Sequence, residues 1–199
     1  MKNKILLYSL FILPVLTSGQ NTIINSGATI INTNNFISKG NFINDGTYTD
    51  NTGTLVFSGN TQEIDGTSST SFNNITVSSG STTTINTSGH SVKGILLSNG
   101  TLNADGNITL LSTASKTAMI DGSGSGIVNG NITMQRYLSS GFGYKYISSP
   151  FQSAVVGEFS DDMDLTATFP TFYYYDETQN NTGWVSYVNA ASMLNPMRG

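Results

Sequence analysis

The chain contains no cysteine, one histidine and one tryptophan. The missing thiol excludes disulfide frameworks, thiol catalysis, zinc ribbons and iron–sulfur sites together. Charge is scarce as well. Only 10% of the 199 residues are charged, well under the roughly 25% of ordinary soluble domains, which argues against a coiled coil and against charge-driven disorder. With 8 basic residues against 12 acidic ones, there is no polycation to hold nucleic acid by counterion release. Proline is absent between Val15 and Ser149. The single His90 has only the Asp-Gly acids Asp65 and Asp105 as its nearest carboxylates in sequence. A serine-type triad needs a buried carboxylate to orient its base, so His90 reads as an exposed corner or loop residue.

The N-terminus has the order of an export leader. Lys2 and Lys4 form a short basic start, and an apolar run follows from Ile5 to Leu16. Thr17, Ser18 and Gly19 are small residues suited to a signal peptidase, which would leave Gln20 first. The apolar run is shorter than the roughly 20 residues of a membrane-spanning helix; the alternative is a buried N-terminal helix. Residues 1–19 are therefore expected to be a signal peptide, leaving no transmembrane segment once removed. No cysteine follows to carry a lipid anchor.

Two compositions divide what remains. From Gln20 to Arg136, Gly, Ser, Thr and Asn make up more than half of the segment, and there are only five aromatics. The shorter stretch from Tyr137 to Gly199 holds thirteen aromatics. Such a shift predicts a boundary near Arg136, separating residues 20–136 from 137–199. The first segment has the composition of a disordered linker, yet short β-branched runs return along it. Examples are Thr29-Ile30-Ile31, Thr54-Leu55-Val56-Phe57, Ile75-Thr76-Val77, Ile95-Leu96-Leu97 and Ile108-Thr109-Leu110-Leu111. Asp45-Gly46, Asp65-Gly66, Asn99-Gly100, Asp105-Gly106, Asp121-Gly122 and Asn129-Gly130 punctuate them with turn chemistry. Short strands with frequent turns predict an all-β chain.

The runs are too short for a sandwich, whose core is about 10 Å thick. Gly106-Asn107-Ile108-Thr109-Leu110 recurs two dozen positions later as Gly130-Asn131-Ile132-Thr133-Met134, and Asn73-Asn74-Ile75-Thr76-Val77 is a looser copy. A period in the low twenties fits one coil of a parallel β-helix with two or three strands per coil. Residues 20–136 would then hold about five coils, with Ile and Val stacked inside and Ser, Thr and Asn outside and at corners. At about 4.8 Å per coil the rod would be roughly 25 Å long. An incomplete β-rich module would follow over 137–199.

A resemblance supports this fold. Gly40-Asn41-Phe42-Ile43-Asn44-Asp45-Gly46-Thr47-Tyr48 runs on to Gly53-Thr54-Leu55-Val56-Phe57-Ser58-Gly59, and later come Gly130-Asn131-Ile132-Thr133-Met134-Gln135-Arg136-Tyr137 and Tyr146-Ile147-Ser148-Ser149-Pro150. Taken together these resemble the β-helical secreted and cell-surface proteins of Bacteroidetes-type bacteria, in which a G-N-[IV]-T-x-[QE]-R-Y strand leads into a Y-x-[SL]-S-P strand. The resemblance implies an adhesin-like, secreted or cell-surface protein associated with type IX secretion. Such proteins are usually longer and end in a sorting domain. This chain stops at Met197-Arg198-Gly199, so an N-terminal fragment is expected.

Candidate chemistry is thin. Parallel β-helices include polysaccharide lyases and glycosidases, whose reactions need paired carboxylates or an acidic calcium cluster beside a basic residue. Between Gln20 and Gln135 the acids are Asp45, Asp50, Glu63, Asp65, Asp105 and Asp121, and four of the six directly precede glycine. A non-enzymatic surface protein binding an extracellular glycan or surface protein is therefore expected, with a carbohydrate-active enzyme or carbohydrate-binding module as the alternative. No cofactor is implied, calcium apart. Glu158, Asp161, Asp162 and Asp164 form the one acidic cluster and offer hard oxygen ligands for that ion, although a solvated acidic loop explains them equally. Tyr173, Tyr175 and Trp184 offer flat rings for stacking on sugars. Strand alternation would instead put Phe172 and Tyr174 on one face and Tyr173 and Tyr175 on the other, one of the two buried. Thr82, Thr83 and Thr84 suggest an ordered threonine surface, but no Thr-x-Thr pair recurs at the period of the glycine-asparagine echo.

Overall fold

The computed structural model describes residues 19–194 except Phe142, Gln152 and Asn181; residues 1–18 of the expected leader and Met197-Arg198-Gly199 lie outside the described residues. The chain divides into two compact units, the first ending at Ser139 and the second beginning at Ser140.

In the first unit the chain winds as a parallel β-solenoid with three strands per turn. The turns run β1 (Thr22–Ile24), β2 (Thr29–Asn32), β3 (Asn35–Ser38); then β4 (Phe42–Asn44), β5 (Thr47–Asp50), β6 (Thr54–Phe57). The third and fourth are β7 (Thr61–Asp65), β8 (Ser71–Phe72), β9 (Asn74–Val77) and β10 (Thr82–Ile85), β11 (His90–Val92), β12 (Ile95–Ser98). A fifth turn has β13 (Thr101–Asn103), β14 (Ile108–Leu110) and β15 (Met119–Ile120), and a partial sixth has β16 (Ile127–Asn129) and β17 (Thr133–Met134). Every third strand pairs in parallel, giving sheets β1-β4-β7-β10-β13-β16, β2-β5-β8-β11-β14-β17 and β3-β6-β9-β12-β15.

There are about six turns rather than five because most are shorter than the sequence echo suggests. The turn that brings Thr29 onto Thr47 is short, and the one that brings Thr101 onto Ile127 is long. The echo is one true register, since Thr109 pairs with Thr133 and Leu110 with Met134. The looser copy is not in that register, because Asn74 and Val77 belong to β9 of the third sheet. Of the glycines in the six turn dipeptides, only Gly66, Gly106 and Gly130 take positive φ. Gly46 and Gly100 serve close approach instead, since a Cβ on either would overlap carbonyl oxygens of the turn below.

Alternation puts every second side chain inside. Phe36, Leu55, Ile75 and Leu96 stack in register along the third sheet, and Phe72, Val92, Leu110 and Met134 along the second. The interior is more aromatic than a ladder of Ile and Val. Phe42, Tyr48 and Phe72 meet at centroid distances of 5.2 to 6.0 Å, and Phe57 is fully buried. Burying each such side chain stabilises the fold by about 1.5–3 kcal/mol.

The interior is also more polar than expected. Gln62 is buried because its Nε2 donates to the carbonyls of Ser38 and Gly40 at 3.0 and 2.6 Å, while its Oε1 accepts from the Gly59 amide at 2.6 Å. Asn44 Nδ2 donates to Thr70 Oγ1 at 2.9 Å. Gln62 satisfies buried backbone groups that water cannot reach. Between the corners, main-chain bonds such as Thr54 N to Asn34 O link each turn to the last. That pairing explains a segment without proline.

In the second unit, Val156–Phe159 forms a 3-10 turn, and β18 (Tyr173–Tyr175) pairs antiparallel with β19 (Trp184–Ser186).

Candidate functional site

The hairpin of β18 and β19 sorts its aromatics by face. Phe172 and Tyr174 lie on one side, where Tyr187 packs at 5.1 and 4.9 Å from their ring centroids and Phe159 closes on Phe172 at 5.4 Å. On the opposite side Tyr175 stands across from Trp184, with centroids 5.2 Å apart and planes at 73°. Tyr175 and Trp184 are 51% and 50% exposed. Tyr173 is half-buried opposite Ser186. The structure thus brings together two of the three rings proposed for sugar stacking and sets the third one pair along the same face.

Local chemistry fixes this edge. Gly183 has φ +74°, and a Cβ there would strike the Tyr175 ring, so the ring lies against bare backbone. The Asp176 amide donates to Gly183 O at 2.7 Å. The Asp176 carboxylate accepts from Thr178 N and Oγ1 at 3.0 and 2.7 Å, and from Gln179 Nε2 at 2.9 Å. A hollow of about 370 Å³ beside it is lined by Tyr175, Asp176, Glu177 and Thr178.

Glu158, Asp161, Asp162 and Asp164 are spread over the 3-10 turn and the bend after it. Asp164 accepts from Thr166 Oγ1 at 2.8 Å and Thr166 N at 3.0 Å, bonds that hold its carboxyl below the usual carboxylate range. Among the described residues no three His, Asp or Glu side chains converge to hold a metal ion. Of the four acids close in sequence, Asp164 is committed to the turn it forms with Thr166.

His90 corrects its sequence expectation. It is not at an exposed corner but in β11, 1% exposed, beside Phe72 at 6.0 Å. Its Nδ1 accepts from Thr70 N at 3.0 Å and its Nε2 meets Thr87 Oγ1 at 2.9 Å. The Thr70 amide can only donate, so Nδ1 is unprotonated and Nε2–H donates to Thr87. Burial lowers the imidazole's proton affinity. Both ring nitrogens are thereby taken by threonines, and neither by a carboxylate.

Sequence reasoning missed a second polar group, around Asp50. Asp50 is 1% exposed, accepts from Asn32 Nδ2 at 3.2 Å and from Asn73 N at 2.9 Å, and is pushed upward in pKa chiefly by burial. Asn32 Nδ2 also donates to Tyr48 Oη at 3.0 Å, and burial raises the Tyr48 phenol. Lys93 Nζ donates to Asp50 O at 3.0 Å and Lys116 Nζ to Asn73 Oδ1 at 2.8 Å. The signal was present in Thr47-Tyr48-Thr49-Asp50, where alternation puts Asp50 on the same inward face as Tyr48.

The solenoid's three outer faces differ. In the second sheet Thr49, Ser71, Ser91, Thr109 and Thr133 are register partners on five consecutive strands, an unbroken column of hydroxyls. Ser91 Oγ donates to Ser71 Oγ at 3.0 Å. The outward positions of that sheet carry no charge. The first sheet, by contrast, presents Glu63 and Asp65, and the third presents Ile37, Val56, Leu97 and Met119.

No family model, no curated protein and no solved structure matches this chain. No helix among the described residues is long and apolar enough to cross a membrane.

Proposed function

We propose that this is an exported, surface-displayed, adhesin-like solenoid that acts by presenting one chemistry repeatedly, without catalysis of its own. The observation that carries this reading is the hydroxyl column on the second sheet. It repeats at about the 4.8 Å strand spacing, so a neutral extracellular glycan or a surface protein meets a hydroxyl on five consecutive turns. Binding of this kind is weak per turn and gains through multivalency. The basic, apolar and small-residue order of the leader supports export, and the resemblance to Bacteroidetes-type secreted β-helical proteins supports a cell-surface address with type IX secretion. The enzymatic alternative, lyase or glycosidase, is disfavoured by the sequence, in which four of the six acids between Gln20 and Gln135 directly precede glycine as turn residues.

Glycan-array binding by the purified chain tests the reading. Binding that Ser91→Lys and Thr109→Lys abolish, and that Thr82→Lys on another face leaves intact, supports it. Release of reducing ends from a polysaccharide overturns it. A second reading, a carbohydrate-binding module, rests on the half-exposed Tyr175 and Trp184 pair. It predicts that Trp184→Ala removes binding while the solenoid variants do not.

A further inference from the structure

The two Asn-Gly dipeptides sit in different mechanical settings. Asn99-Gly100 joins β12 to β13 with a turn below it and another above. The Asn99 amide donates to Val77 O at 2.8 Å, and Gly100 O accepts from Ile127 N at 2.8 Å. Ser98 Oγ also reaches Gly100 O, at 3.1 Å. A Cβ on Gly100 would overlap Ser81 O, and one on Gly126 would overlap Gly100 O. The segment is clamped on both sides.

Asn129-Gly130 ends β16, the last strand of the first sheet. Its attachments run one way only. Asn129 O accepts from Ala104 N at 2.8 Å, and Asn129 Nδ2 donates to Asn103 Oδ1 at 3.2 Å. Gly130 takes φ +81° against Asp105 and is exposed. Among the described residues no strand of the first sheet lies beyond it.

We propose that Asn129 is a site of spontaneous deamidation in the folded protein and that Asn99 is protected. Loss of the Gly130 amide proton lets that nitrogen attack Asn129 Cγ. The new N–Cγ bond forms a succinimide, the Cγ–Nδ2 bond breaks, and Nδ2 leaves as ammonia. Water then opens the ring to aspartate or isoaspartate. The reaction consumes one water, releases one ammonia and needs no oxidant or reductant. It requires the backbone to swing out of the extended conformation, which glycine permits because it lacks a Cβ. An end strand opens locally at lower free energy than an interior one. Isoaspartate adds a main-chain carbon between Asn129 and Gly130, which breaks the Ala104–Asn129 register and loosens the sixth turn. Either product also removes the amide that Asn129 donates to Asn103 Oδ1.

Trypsin separates the two sites, since cleavage after Lys93, Lys116 and Arg136 leaves Asn99 in peptide 94–116 and Asn129 in peptide 117–136. The full chain is incubated in mildly alkaline buffer, digested, and each peptide followed by mass spectrometry for conversion of amide to acid. Peptide 117–136 is expected to convert at least about tenfold faster than 94–116, corresponding to a difference of about 1.4 kcal/mol in opening. In strong denaturant the two rates should converge. Asn129→Gln should abolish conversion of 117–136 while leaving 94–116 unchanged. Equal or faster conversion of 94–116 in the folded chain overturns the proposal, as does conversion of both peptides only in denaturant.

Discussion

The backbone amide of Thr70 donates to Nδ1 of His90 across one turn of the solenoid, 3.0 Å away. The lone histidine is therefore a neutral cross-brace inside the stack. A proton on Nδ1 would set two N–H groups against each other in a site that already disfavours charge.

Stability should consequently fall in mild acid. The folded-state pKa of His90 is depressed below its ordinary 6.5, so the unfolded chain binds the proton more readily. Its contribution is fully present above about pH 6.5 and declines as pH drops from there toward the depressed value. Urea unfolding in neutral and mildly acidic buffers measures this. His90→Phe should flatten that part of the profile and cost about 1–3 kcal/mol, because Thr70 N–H loses its acceptor.

Asp50 titrates in the opposite sense. Its pKa is raised by burial, so the folded state holds the proton longer, and stability falls as pH rises from its ordinary value through the raised one. Asp50→Asn keeps one acceptor for Asn73 N–H and removes the buried charge. It should leave neutral-pH stability unchanged or raise it by up to about 1 kcal/mol. Asp50→Ala strands Asn73 N–H and leaves Asn32 Nδ2 with only Tyr48 Oη as acceptor, and should cost about 2–3 kcal/mol. Denaturation midpoints of the two variants at neutral pH give the ordering.

Thr83 is fully buried between Gln62 and Leu102, and its hydroxyl has no partner. Thr83→Val exchanges that hydroxyl for a methyl of similar size and should stabilise the chain by about 1–2 kcal/mol. A higher urea midpoint with an unchanged slope is the expected result.

Phe72 touches Phe42, Tyr48 and His90. Phe72→Ala should cost about 3–5 kcal/mol through the cavity it leaves. Ile37→Ser, on the outer face of β3, should change stability by less than about 0.5 kcal/mol. Thermal unfolding of the pair separates inner from outer positions.

The strands easiest to see beforehand were those with two or three aliphatics in a row, such as Ile95-Leu96-Leu97, where outward positions are apolar as well. Thr47–Asp50, Thr61–Asp65 and Thr101–Asn103 were hidden because each buries few apolar side chains between polar neighbours. The same concealment covered the hydroxyl column. The steps from Thr49 to Ser71, Ser91, Thr109 and Thr133 are all of different length, so a search at one period finds only the last of them. In the second unit, alternation along Phe172-Tyr173-Tyr174-Tyr175 foretold the two faces, whereas the partnership of Tyr175 with Trp184 depends on where the loop closes.

Composition and short-range pattern alone determined that this chain is all-β and built of brief strands separated by tight turns. These are local properties, set by side-chain alternation and by the turn preferences of glycine and asparagine. Tertiary structure decided the number of turns, which faces are hydroxylated, charged or apolar, and the burial of His90 and Asp50. Those depend on register between strands one winding apart, and corner loops of varying length set that register turn by turn.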